Sequence, residues 1–149
     1  MIKSNSVIGL PGFGIHRNDQ GHNLHLPHVG GVEIADDVEI GAVNTICAGT
    51  IHPTVIEERV KIDDHVHVAH NCVIGRDSQL TAHVELSGST IVGEKCVLGP
   101  NCSVANGTQI GANSIVGIAA NVTKDVESGY VVAGNPARAI RPVTPAEIA

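Results

Sequence analysis

Stepping by six from Ile56, the chain places Ile56, Ile62, Val68, Ile74, Leu80, Leu86, Val92, Leu98, Val104, Ile110, Val116 and Val122, an aliphatic residue at every stop. One residue after each stop the side chains are mostly small, as at Ala69, Gly75, Gly93, Gly99, Ala105, Gly111 and Gly117. Four residues after each stop stand Val60, Val66, Cys72, Ser78, Val84, Thr90, Cys96, Cys102, Thr108, Ser114, Ala120 and Val126, all small or β-branched. A period of six matches neither the 3.6-residue helix nor the alternating strand. It fits a short strand and a turn, one large side chain pointing inward and one small residue where the wall is tight. Three such units make a triangular coil, and stacked coils pair as parallel strands about 4.8 Å apart. The predicted fold is all-β, a parallel β-helix of hexapeptide repeats.

The register runs backward through Ile46, Ile40 and Ile34, but ten residues separate Ile46 from Ile56. The four extra residues, within 50–55, are expected to leave the coil as an extruded loop. Residues 1–33 keep the period poorly and, rich in Gly and Pro, read as a turn-rich lead-in. The β-helix is expected over 34–127. Beyond it, residues 128–149, with Pro136, Pro142 and Pro145, are expected to fold back as a C-terminal cap on the open end.

Composition agrees with a solenoid. The 149 residues include 20 Val and 16 Ile but only 6 Leu, a bias toward strand formers. Phe13 and Tyr130 are the only aromatic residues among Phe, Tyr and Trp, and the net charge is −6 with no basic block. That combination excludes the phosphate footprint and stacking platforms of a nucleic-acid binder. No apolar run approaches the roughly 20 residues of a membrane span, and the first residues lack a secretory leader, so the expected location is cytoplasmic. Cys47, Cys72, Cys96 and Cys102 match no metal or redox spacing and read as reduced packing thiols.

Nine histidines offer proton-transfer chemistry. His16, His22, His25 and His28 fall in the lead-in and are expected as solvated loop residues; His52 falls in the extruded loop. Inside the repeat, residues eighteen apart stand above one another. His65, His83 and Asn101 form one polar column. His70, Gly88, Asn106 and Lys124 form another, in which a base lies below an open glycine N–H, then an amide and a cation. Its three steps span about 14 Å, the reach of an extended pantetheine arm. Such a column could seat a thioester between His70 and Gly88, with the donor's phosphate end near Lys124; the alternative reading is that these positions are outward turns filled by polar residues.

Pro11-Gly-Phe-Gly14, Val38-Glu-Ile-Gly-Ala42 and, most specifically, Ala69-His70-Asn71 within 66–75 resemble the β-helix body of the UDP-3-O-acylglucosamine N-acyltransferases. The likeness covers about residues 11–127 and leaves out that family's uridine-binding domain. It implies a left-handed coil, against the general preference for right-handed crossovers. It also implies that His70 is the general base for a sugar amine, and that the Gly88 N–H is an oxyanion donor. Asp63, His67 and Asn71 would lie near the acceptor; the family has an amide where His67 stands. Gly107 takes the place of the family's second histidine, and Cys47-Ala48 that of an Asp-Arg pair. The tail word Gly129-Tyr-Val-Val-Ala-Gly-Asn-Pro-Ala-Arg138 instead resembles coenzyme A-dependent hexapeptide acetyltransferases of amino sugars, which places Arg138 near the donor's phosphates.

These resemblances imply a homotrimer with sites between subunits. They imply acetyl-CoA, or an acylated acyl carrier protein, as co-substrate, with no tightly bound cofactor and no metal. The acyl group would pass to the amine of a nucleotide-linked sugar, Gly88, Asn106, Lys124 and Arg138 lining the donor path. Two rivals share the fold. His65-x4-His70-x-Cys72 mimics part of the ligand spacing of a γ-class carbonic anhydrase, in which three imidazoles hold zinc. The repeat could also serve as a non-catalytic trimeric scaffold.

Overall fold

A computed structural model describes residues 1–147 and turns the six-residue period into about six turns of a triangular coil. The first sheet stacks Val7–Pro11, Thr45–Ala48, His67–Val68, Glu85–Leu86, Ser103–Val104 and Asn121–Val122. The second stacks Val32–Ile34, Thr54–Ile56, Val73–Ile74, Ile91–Val92 and Gln109–Ile110. The third runs from Glu39–Ile40 through Lys61–Ile62, Gln79–Leu80, Val97–Leu98 and Ile115–Val116 to Tyr130–Ala133. Pairing between successive coils is parallel in all three, with partners such as Val73 and Ile91 or Val97 and Ile115 one coil apart. Among the described residues no helix is long and apolar enough to cross a membrane.

The repeat's columns sort as the pattern requires. The aliphatic column, from Ile56 to Val122, is buried along the coil axis, each side chain contributing about 1.5–3 kcal/mol. The wall column is buried as well, and its hydroxyls answer backbone carbonyls: Ser78 Oγ donates to Gly93 O at 2.8 Å and Thr90 Oγ1 to Ser87 O at 2.7 Å. The thiols of Cys72 and Cys96 occupy the same place, 3.3 and 3.2 Å from Ser87 O and Gly111 O. All four cysteines are free and buried, and burial pushes the Cys72 and Cys102 thiols up to about 12.

A further column went unread in the sequence. Arg59, His65, Asn71, Asp77, His83, Ser89, Lys95, Asn101, Gly107, Asn113 and Ala119, again six apart, all have φ between 54° and 72°. Each corner of the coil needs one left-handed residue, and Asn, Asp and Gly adopt that conformation most readily. Their enrichment at this place was the available signal.

The coil departs from its period in three places. Residues 12–31 leave at the corner between the first and second sheets, and Ile15–Arg17 pairs antiparallel with Asn23–His25 before the chain returns. Residues 49–53 leave at the same corner one coil later and are laced to the first excursion: Val29 N–H donates to Thr50 O and Gly30 N–H to Gly49 O, both at 2.9 Å. Residues 1–11, part of the lead-in by sequence, pair into the stack, Ile2 bridging Ile40 and Val7 opposing Thr45.

The third departure follows Val122, where the coil shortens by two residues. Val126 therefore bridges Ile110 and takes an inward place, instead of the wall place its spacing predicted. Tyr130–Ala133 then pairs antiparallel with Arg138–Pro142 across the Gly134-Asn-Pro turn. A 3-10 turn, Pro145–Glu147, ends the described chain, with Glu147 on Arg141 at 2.8 Å. Residues 148–149 of the expected cap lie outside the described residues.

Candidate active site

The corner between the first and second sheets gathers most of the chemistry. His70, half-buried, sits in the turn between His67–Val68 and Val73–Ile74. Gly88 lies one coil above it. A Cβ at Gly88 would stand 2.5 Å from His70 Cε1, 2.7 Å from Nε2 and 3.0 Å from Asn106 Oδ1. The ring thus uses the space that any other residue at 88 would fill, and its Nε2 faces the Gly88 backbone. Among the described residues the Gly88 N–H has no protein acceptor.

These groups line a cleft of about 510 Å³ with Pro11, Cys47, His67, Ala69, Ser87 and, from the excursion, Gly12 and Phe13. Gly12 presses its backbone on His70: a Cβ there would lie 2.9 Å from His70 Cβ and Cδ2. The sequence placed the lead-in histidines in solvent, and for His28 the structure differs. The His28 ring packs edge-on to His70, centroids 5.2 Å apart, and His28 Nδ1 donates to Leu26 O at 2.8 Å. His25 lines the cleft and stays exposed. Burial, and the charge that His28 can carry, hold His70 below the ordinary histidine value, so the neutral ring is favoured.

Asn71 stands beside the ring, its amide spanning Thr50 and His70. The other expected site residues are distributed elsewhere. Asp63 is exposed at the corner between the third and first sheets and opens on a shallow cleft with Met1 and Lys3. Lys124 occupies the shortened turn above Asn106's coil, and with Arg138 it lines a separate cleft that also holds Asp125 and Tyr130. His65 stacks flat on His83, centroids 4.8 Å apart and 4° from parallel, away from His70. Among the described residues no three His, Cys, Asp or Glu side chains of the chain converge to hold a metal.

Glu85 was missed. It opposes His67 in the first sheet, lines the cleft and accepts from Ser87 Oγ at 3.2 Å. Its place one coil above His67 was readable from the eighteen-residue step.

Residues 53–88 match the family model "Bacterial transferase hexapeptide (six repeats)". Over 75 residues the chain is 52% identical to the UDP-3-O-acylglucosamine N-acyltransferase of Chlorobium chlorochromatii, a stretch covering 50% of this chain and 21% of that protein. The chain therefore spans about a fifth of the length of the curated relatives it matches. The UDP-N-acetylglucosamine O-acyltransferase (LpxA) of Moraxella catarrhalis superposes with a TM-score of 0.83 at 27% identity, over 95% of this chain and 53% of that one. The acetyltransferase domain of PglB from Neisseria gonorrhoeae, solved with acetyl coenzyme A, superposes with a TM-score of 0.60 at 23% identity over 77% of this chain and 58% of its own. Its likeness is one of fold. The period, the coil and these likenesses together make this chain a left-handed parallel β-helix of hexapeptide repeats, its body similar to the UDP-3-O-acylglucosamine N-acyltransferases.

Proposed function

We propose that this β-helix is the catalytic body of an acyltransferase, moving an acetyl or other acyl group from a thioester of CoA or acyl carrier protein to the amine of a nucleotide-linked sugar. The observation that carries it is the fit of His70 Nε2 against the side-chain-free face of Gly88 at the foot of an open cleft. The amine nitrogen attacks the thioester carbonyl while His70 takes its proton at Nε2. The Gly88 N–H meets the oxygen that gains charge, a contribution of about 2.7–4 kcal/mol for one preorganised donor. The C–N bond forms, the C–S bond breaks, and the thiolate leaves and takes up a proton. Transfer is direct: Cys47, the thiol that lines the cleft, and Cys72 in the wall are both buried, and burial raises both pKa values, that of Cys72 to about 12.

Glu85 and His67 in the cleft supply polar partners for the acceptor, and Asn106 for the donor. Lys124 and Arg138, farther up the stack, are assigned to the donor's phosphates, with Asp63 reaching the acceptor from a neighbouring copy. The homotrimer this requires is supported by the apolar residues left exposed on the two excursions, Phe13, Val29 and Ile51, each at least 77% exposed. Light scattering at assay concentration checks the trimer.

The decisive experiment measures free thiol released from acetyl-CoA against a panel of nucleotide-linked amino sugars, with simple amines and hydroxyls as controls. His70→Ala should lose at least about a hundredfold in kcat with its melting temperature unchanged. Retained activity in that variant refutes the assignment.

A further inference from the structure

Three hydrogen bonds around Asn71 determine where His70 carries its hydrogen. The Thr50 backbone N–H, which can only donate, points to Asn71 Oδ1 at 2.7 Å, and Thr50 Oγ1 donates to the same oxygen at 3.1 Å. The oxygen of the Asn71 amide is thereby fixed toward Thr50 and its nitrogen toward His70. Asn71 Nδ2 lies 3.0 Å from His70 Nδ1. An amide NH2 donates and does not accept, so His70 Nδ1 accepts, and the hydrogen of the neutral ring sits on Nε2. That is the nitrogen facing Gly88 and the cleft.

We propose that Asn71, clamped by Thr50, is a positioning residue that holds resting His70 in the Nε2–H tautomer, so that the ring becomes a base toward the cleft only when the clamp lets go. This rests on the acyl-transfer reading only for its catalytic consequence; the tautomer itself does not depend on any substrate. Taking a proton at Nε2 requires a hydrogen on Nδ1 instead, and Asn71 must then turn its oxygen to the ring and release Thr50. Thr50 belongs to the extruded loop, and its carbonyl accepts from Val29 N–H at 2.9 Å. One chain of hydrogen bonds therefore runs from the lead-in, through the loop, to the imidazole. An occupant of the cleft that shifts the loop shifts the tautomer with it.

Asn71→Asp breaks the lock without removing the clamp. One carboxylate oxygen still accepts from Thr50, and the other accepts a hydrogen from Nδ1. Position 71 has φ 59°, and Asp37 and Asp77 already occupy the equivalent turn place at 58° and 61°, so aspartate fits the backbone.

The test is nitrogen NMR of the full chain labelled with 15N-histidine, at about pH 7.5, well above the ordinary histidine pKa of about 6.5. His70 is assigned by the signal lost in His70→Gln. The native ring should show a protonated, pyrrole-type shift at Nε2 and a bare, pyridine-type shift at Nδ1. Asn71→Asp should exchange the two, while the stacked His65 and His83 signals stay in place and report an intact fold.

A native ring protonated at Nδ1, or an Asn71→Asp ring unchanged in a folded protein, overturns the proposal. With the tautomer exchanged, thiol release should gain on the order of tenfold in kcat, the cost of letting go of Thr50. Its acid limb should also move upward, since the new carboxylate opposes the burial and the His25, His28 and His67 rings and joins Glu85 in favouring the imidazolium. An exchanged tautomer without that gain supports the lock and counts against His70 as the base.

Discussion

Two corners of the same coil share one backbone geometry and differ in what their side chains do. At the corner between the second and third sheets, Arg59 grips Asp77 with two nitrogens at 2.7 and 2.9 Å. Arg76 lies 3.3 Å from Glu94, and its backbone N–H meets Glu57 at 2.9 Å. Each coil there answers the next, and the charges are spent on one another. At the corner between the first and second sheets the turns carry His70, Gly88 and Asn106, and the cleft sees their polar atoms. Both excursions, 12–31 and 49–53, leave from this second corner. The lesson is that a repeat holds its fold through the buried columns, which leaves one corner free to keep reactive groups poorly partnered.

The strongest way to break the contrast is to add a methyl group at each corner. Gly88→Ala pushes a Cβ into the His70 ring and Asn106, both movable side chains. Activity should fall about 10²–10³-fold in kcat with the melting temperature nearly unchanged, as thiol release and calorimetry on one sample would show. Gly93→Ala puts its Cβ 2.6 Å from the Ala112 backbone nitrogen, at the other corner, where only the coil itself can yield. It should cost about 1–3 kcal/mol in urea unfolding and leave kcat per folded molecule intact. Equal effects of the two on stability would erase the distinction.

Acid titration comes next. Because His70 is depressed in the folded chain, its neutral form persists below about pH 6.5 and the acid limb of kcat/KM should lie beneath that value. The unfolded chain binds this proton more readily, so the ring's contribution to stability should decline as pH falls through the same range. A limb above the ordinary histidine value would mean that another group governs the rate. The smallest effect belongs to the ion-pair corner. Arg59→Ala should lower the melting temperature only slightly, and added salt should remove the difference, because the pair is exposed.

Much of this was legible in the sequence. The aliphatic and wall columns fixed the coil, and the eighteen-residue step brought His70, Gly88 and Asn106 to one corner. What the period could not reach were contacts made by residues outside it. His28 and Gly12 press on His70 from an excursion whose path no repeat encodes. Thr50 meets Asn71 because an extruded loop folds back across a coil, a matter of tertiary hydrogen bonding. Lys124 fell beyond the two-residue shortening after Val122, where the stacking arithmetic loses its step. The left-handed column was present in the sequence as recurrent Asn, Asp and Gly, and it explains His65 and His83 as turn residues.

The reversed final strand has a consequence for how the molecule behaves in bulk. A stack of parallel strands presents an unpaired rim that a second stack could continue, and repetition of that step would yield a fibre. Here Arg138–Pro142 closes the third sheet in the opposite direction, with Pro142 lacking an N–H and Arg138 and Arg141 exposed along the rim. An incoming coil meets mismatched polarity and positive charge, so polymerisation through this sheet is discouraged.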